Sequence, residues 1–104
     1  MEIKIKGKPW TIRQDDLNNP LLAEADGITL GYKREIIIRE PKYLAASLEE
    51  QKERYRHVLR HELVHAFSFE CGLYEDGRLD EGMVDWIASV LEEVEDMAEW
   101  IEVE

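Results

Sequence analysis

Residues 47–72 read SLEEQKERYRHVLRHELVHAFSFECG, and both ends of the stretch carry helix signals. Ser47 followed by Glu50 forms an S-x-x-E capping box, in which the serine hydroxyl accepts from a first-turn backbone N–H. Gly72 is the residue type that closes helices, because it enters the left-handed conformation without a Cβ penalty. A helix this long in a chain of 104 residues dictates what surrounds it, since its apolar side must be covered. At about 100° per residue, Tyr55, Leu59, Leu63, Ala66 and Phe67 gather on one side, which is expected to face the core. His61 and His65 fall roughly opposite, about 40° apart, with Glu62 on the flank.

The remainder supplies a cover. EIKIK (2–6) alternates as a strand, Gly7 and Pro9 break it, and WTIR (10–13) returns as a hairpin arm. DDLNNPLL (15–22) is turn and cap chemistry followed by a short helical turn. GITLGYKREIIIRE (27–40) reads as two strands joined near Tyr32–Arg34, the second ended by Pro41. After the loop LYEDGRL (73–79), a second helix opens with Asp80 as N-cap; Val84, Ile87, Leu91, Val94, Ala98 and Ile101 form an amphipathic stripe. Trp86 and Trp100 lie off it, where they serve either a core or a dimer contact. The expected fold is α+β in a single domain over 1–104: a small antiparallel or mixed sheet of three to four strands packed on two main helices.

Acidic residues outnumber basic ones 24 to 13, a net charge of −11, which argues against a nucleic-acid partner or an anionic membrane surface. No apolar run approaches the ~20 residues of a membrane span, and the N-terminus has no signal-peptide core. A single cysteine, Cys71, precludes an intrachain disulfide and fits a cytoplasmic location. Its place near a helix end suggests a small buried thiol rather than a catalytic one.

His61, Glu62 and His65 spell H-E-x-x-H. Two histidines at i and i+4 share a helical face and can grip one zinc ion through neutral imidazole nitrogens. The intervening glutamate stands close to the metal without ligating it and can take a proton from water whose pKa the metal lowers. A catalytic site needs a third protein ligand. Glu81 lies 16 residues after His65, in the first turn of the next helix, and Asp85 one turn further on the same face. An acidic residue at a helix start is favourable in its own right, which accounts for Glu81 but poorly for Asp85, a residue placed to orient a ligating histidine. His57, one turn before His61, cannot share the same ion from an unbroken helix. It reads as a solvated helix residue, or else as a substrate-side or oxyanion group.

HELVHAF followed by DEGMVDWIA resembles the gluzincins, zinc peptidases whose third ligand is a glutamate on a later helix. The nearest likeness is to small phage- and prophage-encoded metallopeptidases of the ImmA/IrrE type, over roughly residues 27–92. The resemblance implies a minimal zincin-like fold, one zinc per chain on His61, His65 and Glu81, Glu62 as general base and then proton donor, and Asp85 behind a histidine. It also implies a peptide or protein substrate aligned by strand addition to an upstream edge strand, for which EIIIR is the candidate. No residue matches the family's oxyanion group; Tyr74, Arg78, Tyr32 and His57 are candidates. The expected function is therefore a zinc-dependent metallopeptidase. The alternatives are a non-catalytic zinc-binding regulatory protein with a degenerate site, and an α+β domain with a chance motif and no metal.

Overall fold

The computed structural model describes residues 1–16, 18–72 and 81–100, with side chains in the last segment as far as Leu91 and at Glu93. The fold is α+β. Strands β1 (Glu2–Ile5), β2 (Lys8–Asp15), β3 (Gly27–Leu30) and β4 (Glu35–Arg39) form one mixed sheet in the order β1-β2-β4-β3. β1 and β2 pair antiparallel through a tight turn in which Lys6 (φ 52°) and Gly7 (φ 79°) are both left-handed, the geometry that matches strand twist. β3 and β4 pair antiparallel, and β2 and β4 run parallel. The helical turn expected after residues 15–22 lies instead at their end, a 3-10 turn at Pro20–Leu22, where the Asn19 side chain accepts from Leu21 N.

β4 lies inside the sheet, which corrects the expectation that EIIIR is an edge. Ile36, Ile37 and Ile38 are all buried, and a strand apolar on both faces needs cover on both. Exposed along an edge, it would invite pairing with other chains. The edges are instead β1 and the short β3.

Helix α1 (Leu48–Glu70) starts where its cap predicts: Ser47 Oγ accepts from Glu50 N at 3.2 Å. It stops at Gly72 (φ 76°), whose N–H returns to Phe69 O at 3.0 Å. Val58 and Ala66, with Tyr55, Leu59, Leu63 and Phe69, pack against Ile5, Trp10, Ile12, Ile36 and Ile38 of the sheet. Helix α2 (Glu81–Trp100) covers a second side of α1, where Val64 meets Val84, Ala88 and Ile87. Two expected core positions are therefore reassigned. Phe67 is exposed, because α1 turns Phe69 to the sheet and Val64 to α2. Leu91 is exposed too, and Ala88 takes the stripe's contact. Cys71 is also exposed, since it sits at the helix cap, past the last core-facing residues. Trp86 projects from α2 and is not part of a core. Asp80, the loop 73–79, and the side chains of Val94, Ala98, Trp100 and Ile101 lie outside the described residues. No described helix is long and apolar enough to cross a membrane.

The C-terminal end of α1 is tied to the sheet by polar and aromatic contacts. Glu70 Oε1 accepts from Trp10 Nε1 at 2.9 Å and from Arg34 Nε at 2.7 Å. Phe69 stands edge-on to Trp10 and to Tyr32, with centroids 6.2 and 5.4 Å away. Gly31 passes so close that a Cβ there would fall 2.4 Å from the Phe69 ring. Gly31→Ala is expected to lower stability by about 1–3 kcal/mol, the usual range for overpacking, read as a lowered thermal midpoint.

The bond from Arg34 and, after it, the indole bond hold the Glu70 carboxyl below the usual carboxylate range. A carboxylate depressed by folding adds stability above its unfolded pKa of about 4.3 and loses it as pH falls through the folded value. Urea midpoints of the parent chain and Glu70→Gln should therefore differ most near neutral pH and converge on acidification below about 4. A gap that stays constant with pH would mean that the Glu70 charge contributes nothing.

Candidate metal centre and cleft

Three histidines at four-residue spacing line one strip of α1, and α2 lays its first turns across them. His61 Nε2 is 2.7 Å from Glu81 Oε2, and His65 Nε2 is 2.9 Å from Glu81 Oε1. The ligand atoms of these three residues lie within 4.8 Å of one another. The imidazoles stand edge to face, with centroids 5.1 Å apart. One turn along, Asp85 Oδ1 accepts from His57 Nε2 at 2.8 Å and lies 3.6 Å from His61 Nδ1. That contact, with His57 first and His61 after it, holds the Asp85 carboxyl below its ordinary range. The shorter of the two Asp85 contacts is the one to His57. His57 is not a purely solvated residue: it is paired and borders the cleft.

Glu62, on the same cleft, reaches toward β3 and is buried rather than flanking. Its Oε1 accepts from Thr29 Oγ1 at 3.0 Å. Burial pushes its carboxyl above the usual range, while the Thr29 hydrogen bond and the nearby imidazoles pull the other way. An open cleft of about 560 Å³ runs between these elements. One wall is the β3 edge with Asp26 before it; the other is α1 from Arg54 to His65, with Glu81 and Asp85 of α2. Arg54 and Arg39 both bind the Asp26 carboxylate, which fixes the approach to β3.

His57, His61, Glu62, His65, Glu81 and Asp85 are therefore brought to one cleft. Tyr74 and Arg78 lie outside the described residues. Tyr32 lies against Phe69, at the other end of α1. Asp26, Gly27 and Thr29 were not singled out from the sequence. The alternation of GITL places Gly27 and Thr29 on one face, but only the packing of β3 against α1 links them to Glu62.

Residues 19–101 match the family described as peptidase of plants and bacteria, a span that includes every residue of the cleft. The chain belongs to this peptidase family. Peptidases act on proteins or peptides, and the cleft is the opening at which the histidine–carboxylate cluster meets solvent. No curated protein and no solved structure matches the chain.

Proposed function

We propose that the chain is a zinc-dependent peptidase of the gluzincin kind, with His61, His65 and Glu81 as ligands and Glu62 as general base. The observation that carries this reading is the convergence of both imidazole Nε2 atoms on one carboxylate, beside a buried glutamate in an open cleft. The donor set fits: two neutral imidazoles and a carboxylate make a common catalytic zinc set. Around an ion at about 2.0–2.1 Å, tetrahedral ligand atoms stand roughly 3.3 Å apart. One ligand atom from each of the three residues lies within 4.8 Å of the others, a set that an ion between them would draw toward that spacing. When bound, zinc would supply Lewis acidity and lower the pKa of water toward about 7.

The chain's own residues do the rest. Glu62 takes a proton from the attacking water and returns it to the leaving amine. Asp85 holds the His61 ring from its Nδ1 side. His57, whose Nε2 is bound to Asp85, borders the cleft and is the oxyanion candidate that lies there. The substrate lies along β3 rather than β4. Arg39 N donates to Asp26 O at 2.8 Å, so alternate residues of β3 bond to β4. Gly27 and Thr29 then turn their backbone N–H and C=O to the free edge, where an extended peptide adds as a strand. The link to phage-encoded ImmA/IrrE-type peptidases rests on sequence resemblance alone.

Zinc content by elemental analysis, with hydrolysis of fluorescently labelled casein, tests the reading. About one zinc per chain is expected, lost or weakened in Glu81→Ala. Asp85→Asn should weaken zinc binding by about 10-fold or more, the usual cost of removing an outer carboxylate. Glu62→Gln should keep the metal while turnover drops by roughly 10²–10⁴-fold. A wild-type chain that takes up no zinc from excess metal would end the proposal. Undiminished turnover in Glu62→Gln would remove the assigned base.

A further inference from the structure

We infer that Thr29, together with the missing side chain at Gly27, sets the orientation of the Glu62 carboxylate, which makes Thr29 a positioning residue for the base. The inference rests on the role proposed above for Glu62, but its geometry does not. Thr29 is itself buried, and its hydroxyl lies 3.1 Å from Glu62 O as well as 3.0 Å from Glu62 Oε1. The carbonyl belongs to α1, so it fixes where the hydroxyl sits. The hydroxyl has one proton for two acceptors, so it sits between Glu62 O, which the helix holds in place, and Oε1, whose rotation it limits.

Gly27 acts from the same strand face, two residues away. A Cβ there would fall 3.0 Å from Glu62 Cγ, 3.3 Å from Glu62 Oε2 and 2.8 Å from Val58 Cγ1. The Glu62 side chain therefore lies against bare strand backbone, and any side chain at Gly27 would have to displace it or Val58. Gly27 and Thr29 are also the two β3 residues whose backbone polar groups face the free edge. One short strand thus presents its backbone to the cleft and its side-chain face to the acid. A peptide that pairs with this edge meets Glu62 already held at a set angle, the pre-organisation that a general base requires.

A merely structural Thr29 would pin α1 to the sheet through Glu62 O and have no dealings with the Glu62 side chain. A double-mutant cycle separates the two. Thr29→Val, Glu62→Ala and the double variant are unfolded in urea beside the parent chain, with the metal content of each measured. The expected coupling is on the order of 10-fold or more in the unfolding constant, as for a hydrogen bond to a charged group. In labelled-casein hydrolysis, Thr29→Val should lose about 10- to 100-fold in kcat with KM nearly unchanged, and Thr29→Ser, which keeps the hydroxyl, should recover most of the loss. No coupling in the cycle, or an unchanged kcat in Thr29→Val, overturns the inference. If the parent chain cleaves nothing, the peptidase reading fails, and the cycle alone decides whether Thr29 orients Glu62.

Discussion

Helix α1 is covered on two sides at once, and the rest of the molecule is arranged by that requirement. Val58 and Ala66 face the sheet, while Val64 faces α2. With 3.6 residues per turn, a helix between two partners at an angle keeps a strip between them that is covered only in part. His57, His61 and His65 emerge along that strip, and the cleft is the gap between the β3 edge and the start of α2. The site is thus a seam between layers. The Glu70 and Phe69 contacts hold the packing of α1 on the sheet at the far end of the helix.

Four carboxylates border the cleft: Asp26, Glu62, Glu81 and Asp85. In a chain of net charge −11 such a gathering opposes folding unless each acid has its own partner. Each has one: the arginines at Asp26, Thr29 at Glu62, the imidazoles at Glu81, and His57 at Asp85. The partners are unequal in kind. Arginine is permanently charged and fixes the rim, whereas imidazole is neutral or charged with its surroundings and is also a metal ligand. The permanently charged contacts lie beside the start of β3 and the adaptable ones between α1 and α2.

Much of this was legible in the chain, for local reasons. The ends of α1 follow from Ser47, Glu50 and Gly72, because capping is written within a few residues. The hairpin, the split of 27–40 into two strands, and the meeting of His61, His65 and Glu81 follow from spacing alone. What periodicity could not supply was the number of partners around each element. A single-face reading of α1 put Phe67 in the core and Glu62 on a flank, where two-sided packing exposes the first and buries the second. The same gap lies behind the placing of EIIIR at an edge. Its three isoleucines state that both faces are covered, and a covered strand belongs between neighbours. Thr29 shows the limit most plainly, since its partner is 33 residues away and nothing near it in sequence points there.

The strand order carries one more consequence. β1 with β2 and β3 with β4 are each local hairpins, and the sheet becomes one body only where β2 meets β4 in parallel. Thr11 pairs there with Glu35, far along the chain, whereas the two hairpins close over a few residues each. Loop-closure entropy grows, though slowly, with the length enclosed, so this one junction carries the largest single closure cost of the sheet. The isoleucines of β4 lie on that junction. The apolar surface that offsets the cost is thus gathered at the place where chain closure is least favourable, and the two hairpins serve as prefabricated halves of a sheet joined along its middle.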